Sequence, residues 1–320
     1  MRLFRLLVIF VLTLGVVAIG PVSAWAGGAT TTARSVAPAV TPPPTNLSAP
    51  IIADFNGDGL PDQAILGQIG TTTMCAVSVQ NGLAGGGFGP AKVHKYTSAE
   101  QNGPFCPDRG AAIKLGQDKR PDLVTGFNFG FEDIVALHNF KPSAVFRGVE
   151  QPDIMVAVDL HGNGRDDLLE STNEGGELAT FTNTDAGTLV RGNSVCEEDG
   201  LGPRYTLADL NGRGGKDILL SEVCPRDEAS QSAVVLFGTG GQHTFVSTCD
   251  ETVRYTLFVI DLDSDGKLDV GLITTKPNTP TTIRYFHNNG GGNFTQVTGP
   301  GSGPVIPIVP PTMSNPCSGS

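Results

Sequence analysis

Asp54-Phe-Asn56-Gly-Asp58-Gly59-Leu60-Pro-Asp62 puts oxygen-bearing side chains at positions 1, 3, 5 and 9 of a nine-residue loop. Carboxylates this close repel one another, and a hard dication neutralises them better than water does. Calcium accepts six to eight oxygens in irregular geometry. The same pattern returns at Asp261-Leu-Asp263-Ser-Asp265-Gly266-Lys267-Leu-Asp269, with four carboxylates. A weaker copy, Asp159-Leu-His161-Gly-Asn163-Gly-Arg165-Asp-Asp167, keeps two carboxylates and an amide at the ligand positions, with His161 a poor calcium ligand. Asp54, Asn56, Asp58 and Asp62, then Asp261, Asp263, Asp265 and Asp269, then Asp159, Asn163 and Asp167 are the candidate Ca2+ side chains. Leu60, Lys267 and Arg165 stand at position 7, where the backbone carbonyl supplies a further oxygen. Glycine at position 6 allows the sharp bend.

Two further copies are degraded. Asp209-Leu-Asn211-Gly-Arg213-Gly-Gly-Lys-Asp217 has an arginine at a ligand position, where its guanidinium can replace the ion by pairing with Asp209 or Asp217. Lys114-Leu-Gly116-Gln-Asp118-Lys-Arg120-Pro-Asp122 reads as a turn alone, since Asp, Asn and Gly favour turns without any metal. That plainer reading competes at 209 and is weak at 54 and 261.

The copies begin at 54, 114, 159, 209 and 261, a spacing of 60, 45, 50 and 52 residues, which signals a stacked or radial repeat architecture. An EF-hand is excluded. It needs a glutamate at position 12 between two helices, whereas position 12 is Ile65, Glu170, Leu220 and Leu272 in the four clearer copies. The flanks, such as Ala49–Ala53 before Asp54 and Gln63–Leu66 after Asp62, are short apolar runs bounded by turns, as buried strands are. Later in several repeats comes a strand with a Gly-rich turn, as in Gln80–Phe88, Leu236–Phe245 and Phe286–Phe294. These repeats resemble the FG-GAP or VCBS repeats of integrin-α-like β-propellers. The resemblance covers residues 48 to 298 and implies an all-β propeller of four-stranded blades, five of them visible as repeats. It implies calcium in the loops and leaves the biological task open, because propellers host many functions.

Residues 1–26 have the form of a secretory signal peptide: Arg2 and Arg5, an apolar run, then Ala24-Trp-Ala26 as a cleavage site. An Ala/Thr/Pro-rich linker fills 27–47, and a Gly/Pro-rich tail fills 299–320. No later segment is long and apolar enough to span a bilayer as a helix. Behind a signal peptide, the six cysteines Cys75, Cys106, Cys196, Cys224, Cys249 and Cys317 imply disulfides. Cys75 with Cys106 is the expected pair, Cys224 chooses between Cys196 and Cys249, and Cys317 either ties back the tail or stays free. The formal charge of -11 argues against nucleic acid, whose phosphates need a basic footprint.

No nucleophile elbow, phosphate loop or His-x-x-x-His pair stands out in the sequence. Arg109, Arg204-Tyr205 and Arg254-Tyr255 precede three of the loops, where they can ring an anionic ligand in the propeller channel. Repeat ancestry, with each arginine paired to acids such as Glu197, Asp250 or Glu251, accounts for them more simply. The expectation is a secreted calcium-binding module that binds or adheres to an extracellular protein or carbohydrate. The alternative is a polysaccharide lyase or hydrolase working at the channel.

Overall fold

The computed structural model describes residues 43–71, 73–97, 105–128, 132–172, 177–197, 205–224, 231–250 and 252–299. The expected signal peptide, the tail beyond Gly299, Arg204, Glu251 and Cys317 lie outside the described residues. Among those described there is no helix long and apolar enough to cross a membrane.

Among the described residues the chain is a β-propeller of five antiparallel four-stranded blades. Blade 1 holds β2 (Ile51–Ala53), β3 (Asp62–Gln68), β4 (Met74–Gln80) and β5 (Lys92–Thr97). A two-residue β1, Thr45–Asn46, also pairs with β3 through Gly67 and Gln68. The folded part therefore starts inside the segment expected to be linker. Blade 2 runs β6 (Arg109–Ile113), β7 (Asp122–Gly126), β8 (Asp133–His138) and β9 (Lys141–Arg147). Blade 3 is β10 (Pro152–Val158), β11 (Asp167–Thr172), β12 (Glu177–Asn183) and β13 (Leu189–Glu197). Blade 4 is β14 (Tyr205–Ala208), β15 (Asp217–Cys224), β16 (Gln231–Leu236) and β17 (Gln242–Thr248). Blade 5 is β18 (Arg254–Ile260), β19 (Asp269–Thr275), β20 (Thr282–Gly290) and β21 (Asn293–Val297). In every blade the nine-residue loop joins the first strand to the second.

The second strand of a blade has apolar neighbours on both faces, so it reads as a continuous apolar run. Successive side chains point to opposite faces, and consecutive residues therefore serve different blade seams. Leu123 packs toward blade 1 while Val124 packs toward blade 3. Leu168 joins the core shared with blade 2, and Leu169 the core shared with blade 4. Ile218 and Leu220 face blade 3, and Leu219 faces blade 5. Each fully buried leucine or isoleucine contributes roughly 1.5–3 kcal/mol by leaving water.

The Cys75–Cys106 disulfide forms as expected and ties β4 to the segment entering blade 2. Cys196 and Cys224 are directly opposed across a β13–β15 pairing that joins blades 3 and 4 into one continuous sheet. Cys249 is disulfide-bonded as well.

Buried asparagines stitch two more seams. Asn288 is 1% exposed; its Nδ2 donates to Leu210 O of the previous blade at 2.6 Å and to Leu268 O at 2.9 Å. Asn183 does the same for Lys114 O at 2.6 Å and Asp166 O at 2.9 Å, and its Oδ1 accepts from Gly116 N. Gly116 has to be glycine: at φ 61 a Cβ would stand 2.9 Å from Gly187 N. Replacing Asn288 with alanine orphans two buried carbonyls, each costing about 1–3 kcal/mol. Urea denaturation of Asn288→Ala is expected to show a loss of roughly 2–6 kcal/mol.

Glu170, the one acid at position 12, sits on β11 and is fully buried. Its Oε2 accepts from Val149 N at 3.0 Å, and its Oε1 has no hydrogen-bond partner. Burial pushes this carboxyl up to about 7, against the opposing pull of the Val149 N–H and Arg191. Folded Glu170 is thus protonated where the unfolded chain is ionised. Its stability penalty is absent at low pH, grows between pH 4.5 and 7, and stays at full size above that. Glu170→Gln is expected to remove this dependence, gaining on the order of 3 kcal/mol over wild type at pH 8 and little at pH 4.5. Denaturation midpoints at the two pH values measure it.

Candidate metal loops

The last aspartate of each loop opens the second strand and is buried: Asp62, Asp167, Asp217 and Asp269 are fully inaccessible, and Asp122 is 5% exposed. In four blades this carboxylate makes one repeated set of contacts. One oxygen accepts a backbone N–H from inside the loop: Asn56, Leu160, Leu210 or Leu262. The other accepts the N–H of a residue at or just beyond the end of the third strand: Gly82, Asn183, Gly238 or Asn288. A charged acceptor roughly doubles the strength of such bonds, so each carboxylate clamps its loop to its blade.

The first aspartate folds the loop around itself. Asp54 takes the N–H groups of Gly57, Asp58 and Gly59 on its two oxygens at 2.7–3.1 Å. Asp159 and Asp209 repeat this with Gly162 and Gly164, and with Gly212 and Gly214. Positions 4 and 6 both have to be left-handed. Position 4 is Gly57, Gly162 and Gly212 at φ 80, 69 and 72, and in the last loop it is Ser264 at φ 62. Attention to position 6 alone misses this second requirement. The left-handed conformation costs a side chain about 1–2 kcal/mol. Gly59→Ala, where a Cβ meets nothing within 4 Å, is expected to lose that amount from backbone strain alone. Ser264→Gly is expected to gain up to about 1 kcal/mol. Thermal denaturation of the two variants checks both.

The loops differ in what fills their centres. Asn56 Nδ2 bridges Asp58 Oδ2 at 2.9 Å and Asp62 Oδ1 at 3.4 Å. His161 Nδ1 lies 2.7 Å from Asp167 Oδ2, and Asn211 Nδ2 donates to Asp217 Oδ1 at 2.9 Å. Arg213 does not replace an ion by pairing with Asp209 or Asp217; its Nη1 turns out to Thr239 Oγ1 at 3.4 Å. Asn163 accepts from Arg165 N, and the Arg165 side chain pairs with Asp185.

The loop at 261 is different. Asp261 keeps a single long contact, from Gly266 N at 3.3 Å. Donor atoms of Asp261, Asp263 and Asp265 lie within 4.8 Å of one another on the exposed surface. Oxygens on opposite sides of a calcium stand about 4.6–5.2 Å apart, given its 2.3–2.6 Å bonds, so this donor set fits the ion. The Lys267 ammonium is bonded to Asp265 and holds that carboxyl below the usual range. His287 Nδ1, from β20, stands 3.4 Å from Asp263 and 3.3 Å from Asp269.

The 114 copy is a turn, closed by Asp118 N to Leu115 O at 3.2 Å. It nonetheless gathers Asp118, Asp122 and His138, a cluster invisible in the loop's own sequence because His138 ends β8.

Of the residues ahead of the loops, Arg109 donates through Nε to Asp153 O at 2.8 Å and pairs with Asp108 and Asp153. This is the structural ion pair expected of it, made with other acids. Tyr255 is 2% exposed in the core between blades 4 and 5, so it is packing and not a ligand contact. Tyr205 packs against the core between blades 3 and 4. Asp250, one of the expected arginine partners, is paired with Lys276.

No protein-family model matches the sequence. No curated protein matches it either. Among solved structures, a protein from Lactobacillus plantarum is 12% identical at a TM-score of 0.38, covering 79% of this chain and 70% of that one. Saccharomyces cerevisiae Sqt1 is 12% identical at a TM-score of 0.42, covering 84% of this chain and 64% of its own, just under two thirds. BBS1N, solved in complex with ARL6DN, is 13% identical at 0.38, covering 79% and 82%. At such scores the fold assignment rests on the strand pairing alone.

Proposed function

We propose that this chain is a secreted, calcium-stabilised propeller of the FG-GAP/VCBS kind, acting as a non-catalytic module that binds or adheres to an extracellular protein or carbohydrate. The observation that carries the reading is the convergence of Asp261, Asp263 and Asp265 at the surface, with donor atoms within 4.8 Å. These residues hold the ion, and Asp269 and the Lys267 carbonyl complete the set assigned from sequence. Calcium there offsets the mutual repulsion of the carboxylates and displaces the Lys267 ammonium. Asp54, Asn56, Asp58 and Asp62 form a second site, and Asp159, Asn163 and Asp167 a third. The signal-like residues 1–26 and the Cys75–Cys106 disulfide support export to an oxidising compartment.

Two cavities open among the loops themselves. The larger, about 400 Å³, lies between the loops of blades 2 and 3 and is lined by Lys114, Gln117, Asp118, Asn163, Arg165 and Asp185. A wall of amides and charges of both signs suits a hydroxyl-rich ligand such as a carbohydrate. The channel site of a lyase or hydrolase has less support, since Arg109 is ion-paired and Tyr255 is in the core.

Thermal unfolding in calcium against EGTA tests the metal. At calcium well above its dissociation constant the melting temperature is expected to rise by roughly 5–10 °C. Asp265→Ala and Asp58→Ala are each expected to remove part of that rise. Equal melting in both buffers, with no heat of calcium binding, would sink the calcium assignment.

A further inference from the structure

We propose that Asp118, Asp122 and His138 form a metal site of a second kind in blade 2, one that takes a first-row dication such as Zn2+. Three observations carry it. The first is the donor set: one imidazole nitrogen and two carboxylates, a mixture suited to zinc and its neighbours, whereas calcium prefers oxygen alone. The second is spacing. His138 Nδ1 lies 2.8 Å from Asp122 Oδ1 and 3.6 Å from Asp118 Oδ2. Ligands of a tetrahedral zinc with bonds of about 2.0–2.1 Å stand about 3.3 Å apart, and the observed pair brackets that value.

The third is the contrast between repeats. In blades 1, 3, 4 and 5 the buried aspartate spends both oxygens on backbone N–H groups. Among the described residues Asp122 accepts no backbone N–H, and its partner is the His138 ring. This carboxylate, 5% exposed, faces the side chains of His138 and Asp118 in place of the backbone. It lies on the wall of a cavity of about 220 Å³, with Asp118, His138, Phe55 and Phe140 around it. That cavity leaves space for a water or an anion on the open side of a three-ligand metal, as catalytic zinc sites have. The turn that follows His138 is itself well fixed. Asn139 and Phe140 are both left-handed at φ 48 and 62, and Phe140 is pinned between Phe55 and His94, with ring centroids 5.4 and 4.8 Å away. Two carboxylates cancel the charge of the dication. Lys119 and Arg120 line the same cavity, and the Arg120 methylenes lie over Gly57 of the first loop.

The similar cluster Asp263, Asp269 and His287 is a poorer candidate, because two of its three ligands belong to the 261 loop already assigned to calcium. The test is calorimetric titration of ZnCl2 into the intact chain in excess calcium, so that oxygen-only loops are already filled. Wild type is expected to bind zinc. His138→Gln and Asp118→Asn are each expected to weaken it tenfold or more, while His287→Gln leaves it unchanged. Imidazole 15N spectra of wild type read the same site without mutation: the His138 Nδ1 resonance is expected to shift on adding zinc. Absence of zinc binding by wild type, or zinc affinity unaltered in folded His138→Gln, or a shift at His287 in place of His138, would overturn the proposal.

Discussion

Four of the five blades hang on a carboxylate buried at the start of the second strand. Asp62, Asp167, Asp217 and Asp269 have no access to water, and a charge so placed is costly unless fully hydrogen-bonded. Backbone N–H groups from the loop on one side and from the third-strand end on the other satisfy it. The bond pattern fixes three chain segments relative to one another before any side-chain packing is counted. The asparagines at 183 and 288 then extend the clamp to the preceding blade through their own amides. Polar contacts at the loop end and apolar seams further along the strands thus act on the same blade boundaries.

The repeats are one backbone solution filled with different central groups. At 261 carboxylates face one another in water; at 54 an amide stands between them; at 159 an imidazole does. Each N–H that enters the centre replaces part of what a cation supplies. The backbone hydrogen bonds survive these exchanges, which is how the 209 loop keeps its shape with Arg213 at a ligand position.

The architecture was legible in the sequence because carboxylate spacing and apolar runs are local signals. Asp54–Asp62 and Asp261–Asp269 mark their loops, and runs such as Ile218–Leu220 mark strands buried on both faces. The Cys75–Cys106 pairing was likewise accessible, since both cysteines fall between two adjacent loops. What stayed hidden is contributed from elsewhere in the chain. His138 and His287 reach their loops from third strands, and nothing in their neighbours' sequence says so. Tyr255 looked like a ligand contact because the Arg-Tyr pair recurs ahead of two loops, yet alternate residues of one strand face opposite ways. Arg213 has a long enough side chain to leave the loop, and spacing cannot register that.

The direct pairing of β13 with β15 gives the molecule an uneven mechanical texture. Blades 1, 2 and 5 are separate sheets, and their seams with neighbours are made by side chains. Blades 3 and 4 share main-chain hydrogen bonds at Cys196–Cys224 and Glu197–Val223. Side-chain seams can slide by small repacking steps, but a main-chain ladder breaks in register or holds. Local opening occurs in cooperative units of contiguous bonding. The two blades are accordingly expected to open together as one double-width panel, with breathing motions concentrated at the seams on either side of it.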